Sequence, residues 1–316
     1  MRAVIIEEYG GKEKLKEAEV PMPQPREHQV IVKERATSIN PIDWKLREGY
    51  LQQKMPWEFP IILGWDVAGE IVEVGSEVTD WKIGDRVFAR PDTTRFGTYA
   101  EYTAVDDNLL AYIPENISYE EAAAAPLAGL TAWQALFDYG KLVEGEKVLI
   151  HAGSGGVGTY AIQLAKSKGA FVISTASESN RDLLLSLGVD QFIDYKNEDF
   201  TELLSDVDVI FDTMGGEILE NSFKVVKPHT GRIVSIVGDA DKELIEKADI
   251  TFNNIWLEPD GKQLSQLAKL MEQGKVKSII GATYPLTEKG VYDAHALSET
   301  HHAVGKIVIK VGNEES

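Results

Sequence analysis

The segment HAGSGGVG, residues 151–158, decides how this chain is read. It follows the β-branched run KVLI (147–150) and opens TYAIQLAKSKG, which has helical character. Gly153, Gly155 and Gly158 stand at the G-x-G-x-x-G spacing of a dinucleotide-binding turn. The first glycine permits the tight turn, the second lets backbone approach a pyrophosphate, and the third lets the helix pack closely on the strand. Free N–H groups and the positive end of the helix dipole then face the anion. A glycine-rich turn alone is weak evidence, but this one lies between a strand and a helix, with the further strand FVISTA (171–176) after it.

The end of that next strand is the second checkpoint. Sites for NAD place Asp or Glu there, about twenty residues on, to hold the ribose 2′-hydroxyl. Here the chain reads ISTASESNRD (173–182), with Ser177, Ser179 and Arg181 in that position and Glu178 as the nearest acid. Hydroxyls and a guanidinium in place of a carboxylate fit a 2′-phosphate. A plain polar loop carrying a solvated arginine is the other reading.

Outward from the turn, short apolar runs at VDVIFD, GRIVSIVG and ADITFNN alternate with helical segments such as NRDLLLSLG and GKQLSQLAKLMEQG. Such alternation predicts an α/β fold with a doubly wound parallel sheet. Upstream the grammar differs. RAVIIEE, HQVIVKERATSI, DVAGEIVEVG and DRVFAR are β-like and separated by Pro, Gly and Asp, which predicts a β-rich partly open barrel or sandwich. The switch comes at Ser118, whose spacing to Glu121 forms a capping box ahead of EEAAAAPLAGLTAWQALFDYG. The chain closes on a helical stretch, TEKGVYDAHALSE, and a last strand, GKIVIKV, expected to return to the first domain.

Composition narrows the function classes. The 316 residues are 43% hydrophobic and 26% charged, with 32 Lys plus Arg against 51 Asp plus Glu and a formal net charge of −19. Such a surface repels phosphate backbones and anionic lipid, so neither nucleic acid nor a membrane is an expected partner. The longest apolar stretch, Ala122 to Trp133, is interrupted and short of the ~18 residues of a membrane span. The opening MRAVIIEEYGG does not read as a signal peptide. With no cysteine, Cys-ligated zinc, disulfides and thiolate chemistry are excluded, and a cytoplasmic location is expected. The six histidines form no H-E-x-x-H pattern, so no metal site is expected.

Taken together, the motifs resemble the zinc-independent medium-chain dehydrogenases/reductases, in their NADPH-dependent quinone oxidoreductase and alkenal (enone) reductase branch. SINPIDWKLREG, FPIILGWDVAGEIVEVGSEVTDWKIGDRVF, FGTYAEY, PLAGLTAW, HAGSGGVG, SLGVDQFIDY, VIFDTMGG and GKIVI all fall in the family's order. Where the zinc alcohol dehydrogenases carry Gly-His-Glu, this chain has Gly64-Trp65-Asp66, and an indole cannot ligate the metal.

The resemblance implies a GroES-like β-rich substrate domain (1–121, completed by 284–316) and a Rossmann-type dinucleotide-binding domain (122–283), with substrate bound between them. It implies NADPH as cofactor, a quinone or α,β-unsaturated carbonyl as hydride acceptor, and a homodimer. By the same resemblance Gly155, Gly156 and Val157 line the pyrophosphate, and Ser177, Arg181 and Tyr195 form the 2′-phosphate pocket. Thr131 and Val237 flank the nicotinamide. Asn40 and Asp43 match the N-P-x-D segment, where Asn40 either bonds cofactor or substrate or is a turn residue before Pro41. Gly305 and Lys306 close over the cofactor. No general acid announces itself, and Lys45 and Tyr50 are weak catalytic candidates.

Three rival classes share parts of this pattern. A serine hydrolase needs G-x-S-x-G, but Ala152 stands at the first glycine before Ser154. The Tyr50–Lys54 spacing matches a short-chain dehydrogenase pair but lies far ahead of the glycine turn. A non-catalytic NADPH-binding sensor or interaction protein on the same fold shares the cofactor residues.

Overall fold

The computed structural model describes residues 1–312. Residues 313–316, the end of the returning segment, lie outside the described residues. By contacts the chain divides into two compact units: Met1–Leu130 with Pro259–Gly274 and Ser278–Ser316, and Thr131–Glu258 with Lys275–Lys277.

The first unit begins with β1 (Arg2–Ile6), β2 (Lys16–Glu19), β3 (Gln29–Ile39), β4 (Ile61–Ile62), β5 (Val67–Val74), β6 (Arg86–Ala89), β7 (Tyr102–Asp106) and β8 (Leu110–Tyr112). β1 lies between β2 and β4 in a small antiparallel sheet. The long β3 pairs with β5 along one edge. Its first half, from Gln29 to Lys33, pairs with β7. Val30, Val32, Val67, Ile71, Val87 and Val105 alternate inward along these strands and form one core.

The second unit holds β9 (Lys147–Ile150), β10 (Phe171–Ala176), β11 (Gln191–Asp194), β12 (Val209–Asp212), β13 (Arg232–Ser235) and β14 (Thr251–Asn254). All pair in parallel, in the spatial order β11-β10-β9-β12-β13-β14. Counted within the unit this is 3-2-1-4-5-6, the doubly wound dinucleotide-binding order. Leu149, Ile173, Ile210 and Ile233 are buried along the sheet, as the near-continuous apolar runs of strands covered on both faces require.

The chain then returns through β15 (Ile280–Pro285), the helix Glu288–Glu299 and β16 (Lys306–Lys310). β15 and β16 are parallel neighbours, and β16 pairs antiparallel with the second half of β3, Ala36 to Ile39. The expected return of the last strand to the β-rich part is therefore seen. β15 was not read from sequence: its exposure alternates half-buried and exposed, and Gly281, Ala282 and Thr283 give no apolar run.

Two further elements differ from the sequence reading. The helix Pro41–Arg47 is too short to display a helical period. GKQLSQLAKLMEQG, read among the α/β crossovers, forms the helix Gly261–Glu272, which lies with the first unit and packs on β8. A Cβ on Gly261 would lie 2.4 Å from the Asn108 carbonyl oxygen, so this helix sits directly on the backbone leading into β8.

Candidate active site

In the second unit, register places the candidate residues at one edge. β9, β10, β11, β12 and β13 all end there, and the loops leaving their carboxyl ends carry the residues singled out above. That edge is where ligands bind in open α/β sheets.

The glycine turn leaves β9 at Ile150 and enters the helix Gly156–Ser167. Its three glycines meet different surroundings. A Cβ on Gly153 would come within 2.0 Å of the Ser174 hydroxyl on β10, and one on Gly158 within 2.4 Å of the Ala152 carbonyl oxygen. Those two positions are closed by the protein itself. A Cβ on Gly155 would meet only the Ala152 oxygen, at 3.3 Å, and Gly155 has ordinary extended backbone (φ −76°, ψ 175°). Space beside Gly155 is thus outside the protein, next to the first-turn amides of a twelve-residue helix, which have no acceptor within the helix. Gly156 and Val157, half-buried, form that first turn. A pyrophosphate fits this position.

His151 braces the turn from below. Ser222 Oγ donates to the Ile218 carbonyl (2.7 Å) and so accepts from His151 Nε2 (3.0 Å), while Thr175 Oγ1 lies 3.4 Å from Nδ1. Burial pushes this imidazole down to about 4, against the pull of Asp212. The sequence reading counts His151 only among six histidines that form no metal pattern. Its position directly after a buried strand was the signal for a packed, neutral ring.

Ser177 and Tyr195 are neighbours by register, because Ala176 pairs with Asp194 and each is one residue past its strand. Ser177 and Ser179 share a hydrogen bond of 2.9 Å, and Asn180 Nδ2 donates to both Ser177 Oγ and Ser154 Oγ at 3.2 Å. Asn180 and Ser154 thus join the hydroxyl cluster and were not singled out from sequence, although both lie inside quoted segments. Tyr195 is 52% exposed.

Arg181 is nearby but committed. Its guanidinium is bidentate on Glu178, both contacts 2.7 Å, and lies 4.2 Å from the Phe192 ring centre. Glu178 is exposed, as its place in a polar loop suggests, but the arginine fork is not free. Three-residue spacing across the first helical turn brings them together instead.

Farther along the edge, Asp212 closes β12, accepting from the Met214 and Gly215 amides and from Ser235 Oγ. Val237 is 44% exposed, and a Cβ on Gly215 would lie 3.1 Å from its side chain. Thr131 is buried within the helix Pro126–Trp133.

In the first unit, Asn40, Asp43 and Lys306 are brought together, in the interior. Asn40 precedes the helix Pro41–Arg47, and its N–H donates to Asp43 Oδ2 (2.9 Å). Asn40 Nδ2 donates to Asp66 Oδ2 (2.7 Å), and Asn40 Oδ1 accepts from Lys306 Nζ. Lys306 also donates to the Ile39 carbonyl (2.9 Å) and lies 3.6 Å from Asp66. Exposures are 2% for Asn40, 0% for Asp43 and 3% for Lys306. Asn40 is thus the N-cap residue before Pro41, with its side chain held by Asp66 and Lys306. Gly305 takes a left-handed φ of +61°, and a Cβ there would strike the Ile279 carbonyl oxygen at 2.1 Å.

Lys45 and Tyr50 meet around Trp44. Lys45 Nζ lies 5.7 Å from its ring centre, and the Tyr50 ring is edge-on at 6.4 Å. Tyr50 is 69% exposed, and its hydroxyl is pushed up by Glu48. Trp65 is fully buried and donates to the Thr94 carbonyl (3.2 Å). Among the described residues, no group of three or more His, Asp or Glu is placed to hold a metal ion.

This chain belongs to the medium-chain dehydrogenases/reductases, in the zinc-independent quinone oxidoreductase and alkenal reductase branch. The family model for the alcohol dehydrogenase GroES-like domain matches residues 26–115, and that for zinc-binding dehydrogenase matches residues 187–309. The chain is 36% identical over 325 residues to the chloroplast envelope quinone oxidoreductase homolog of Arabidopsis thaliana, covering 98% of both chains. It is 37% identical over 318 residues to the NADPH-dependent alkenal/one oxidoreductase, chloroplastic, of the same plant, covering 98% of this chain and 79% of that one. Its fold matches the quinone oxidoreductase from Coxiella burnetii with a TM-score of 0.91 and 37% identity, covering 99% of each. Among the described residues no helix is long and apolar enough to cross a membrane.

Proposed function

We propose that this protein is an NADPH-dependent reductase that delivers a hydride to a quinone or an α,β-unsaturated carbonyl. The observation that carries the reading is the open position at Gly155, beside a helix start and one strand away from the Ser154–Ser177–Ser179–Asn180 cluster. End-to-end similarity to an NADPH-dependent alkenal/one oxidoreductase supports it.

When bound, NADPH supplies the hydride, and the chain's task is to bind, orient and exclude water. Gly155, Gly156 and Val157 line the pyrophosphate, and Gly153 and Gly158 shape the turn and the helix start that present them. Ser177, Arg181 and Tyr195 hold the 2′-phosphate, Arg181 by exchanging Glu178 for phosphate oxygens. Thr131 and Val237 bear on the nicotinamide, and Asn40, Asp43, Gly305 and Lys306 serve cofactor binding from the β-rich domain. The first unit is read as the substrate domain and the second as the nucleotide domain. Lys45 and Tyr50, both N–H or O–H donors, are the candidates to stabilise negative charge developing on the acceptor oxygen. We further infer a cytoplasmic homodimer. The cysteine-free composition suits a reducing compartment, and two-fold dimers are the commonest soluble oligomers, although the two relatives named above are chloroplast proteins.

Turnover of NADPH with a panel of simple quinones and enones tests this reading. Oxidation of NADPH matched by reduced acceptor is the expected result. Tight NADPH binding with no turnover on any acceptor would instead make the protein a cofactor-binding sensor.

A further inference from the structure

In the second unit the side-chain amide of Asn180 governs where two serine hydroxyls point. Asn180 stands at the N-cap of the helix Arg181–Ser186, yet its side chain makes no cap bond. Nor does the Ser177 side chain cap the short turn Glu178–Asn180 that follows it. Capping is the usual reason for Asn and Ser at such positions, so both side chains are left for another use. Asn180 Nδ2 instead directs its hydrogens to Ser177 Oγ and Ser154 Oγ, each at 3.2 Å. Ser154 belongs to the glycine turn, next to Gly155, and Ser177 to the loop that leaves β10. One amide thus ties the two loops together.

A hydroxyl oxygen that accepts from this amide must turn its own hydrogen elsewhere. Ser154 therefore points its O–H away from Asn180. Ser177 Oγ also shares a hydrogen with Ser179 Oγ, at 2.9 Å. Whichever of that pair donates to the other, one hydroxyl hydrogen is left over. The cluster thus offers an O–H donor from each loop.

Charge contributes less here than the presence of an arginine suggests. Glu178, Asp194 and Glu198 all stand around Arg181, and both Glu178 oxygens hold its guanidinium. Hydroxyl donors carry no such competing partner, and a bond from O–H to an anion is among the strong ones.

We propose that Asn180 is a positioning residue for cofactor choice: its amide holds the Ser154 and Ser177 hydroxyls as donors, and these recognise the 2′-phosphate of NADPH. The proposal rests on the reading above that this loop binds the 2′-phosphate. Donors set in advance remove an ordering cost that the phosphate would otherwise meet on binding. A ribose 2′-hydroxyl, which donates as well as accepts, needs no such arrangement, so NADH is indifferent to Asn180.

The test is KM and kcat for NADPH and for NADH in the full chain, with one enone acceptor at saturation. Asn180→Ala raises NADPH KM roughly three- to ten-fold, leaves NADH KM near wild type, and acts on KM rather than kcat. Replacing both serines, Ser154→Ala with Ser177→Ala, also raises NADPH KM. In that background Asn180→Ala adds nothing, because the hydroxyls it orients are gone.

A wild-type NADPH KM in Asn180→Ala overturns the proposal, and so does an equal rise for NADH, which marks a residue of structure only. Full additivity of Asn180→Ala with the two serine changes overturns it as well. Should Asn180→Ala fail to fold, Asn180→Asp decides, since its carboxylate keeps the shape but accepts from both hydroxyls. A rise in NADPH KM that shrinks once both serines are replaced supports the proposal; the same rise with and without them reports charge alone and overturns it. The serine variant separates the two levels. If it keeps the wild-type NADPH KM, the reading of the pocket falls and the proposal with it; if it raises NADPH KM while Asn180→Ala does not, the positioning proposal alone falls.

Discussion

Arg181 turns its guanidinium onto Glu178 and closes a two-point ion pair, each contact 2.7 Å, at the loop leaving β10. If this loop holds a 2′-phosphate as proposed, the phosphate must compete with a carboxylate for the arginine, whereas the Ser177, Ser179 and Asn180 groups need no such exchange.

Arg181→Ala should therefore raise KM for NADPH by roughly three- to ten-fold and leave NADH nearly unchanged. Glu178→Gln should act in the opposite direction, because it frees the fork. Both effects should shrink at high ionic strength, since the pair is solvent-exposed. Steady-state kinetics with each cofactor checks this; an Arg181→Ala enzyme with wild-type NADPH KM would remove Arg181 from the pocket.

The glycine turn separates fold from binding. Gly155→Val meets only the Ala152 carbonyl oxygen, at 3.3 Å from its Cβ, on backbone of negative φ, so the far-UV spectrum and melting temperature should stay near wild type while NADPH binding collapses. Gly158→Val drives a side chain into the Ala152 carbonyl and should unfold or strongly destabilise the chain. Titration calorimetry beside thermal melts measures both. Normal NADPH affinity in folded Gly155→Val would make the turn purely structural.

Stability should depend on pH through three buried groups. His151 is held down to about 4 and His295 to about 3, mainly by burial, so the unfolded chain binds more protons up to the ordinary histidine value near 6.5. Each histidine makes stability rise with pH across that window, by on the order of 3 kcal/mol. Asp43 works the other way, because its folded value of about 7 lies above the ordinary 3.8, and stability falls as pH rises between them. Urea unfolding between pH 4 and 7 should show a shallower rise in His295→Gln and a steeper one in Asp43→Asn than in wild type. Parallel curves for all three would contradict the assignment.

Activity should survive prolonged chelation, with no stoichiometric zinc by elemental analysis. The chain has no cysteine, and Trp65 is packed into the core beside Trp57. Loss of turnover on removing a stoichiometric zinc would refute this.

Legibility in the sequence followed how local each signal was. β9, the glycine turn and the helix after it were readable because KVLI and G-x-G-x-x-G each act within a few residues. The helix Pro41–Arg47 was missed, although Asn40, Pro41 and Asp43 stand at N-cap, first-turn and capping-box positions. The buried hydrogen bonds from Arg47 to His295, from His295 to Tyr99 and from Tyr99 to Asp43 join residues as far as 248 positions apart, and no spacing rule spans such a distance. Arg181 and Glu178 are both legible in the sequence but their pairing is not, since charges at this spacing are compatible with solvent, with each other and with a ligand.

The most direct test of the central claim is kcat/KM for NADPH against NADH, measured with a single enone acceptor at low ionic strength. The account predicts at least about a ten-fold preference for NADPH, the value of one good charge-assisted contact. Equal or better use of NADH would contradict it.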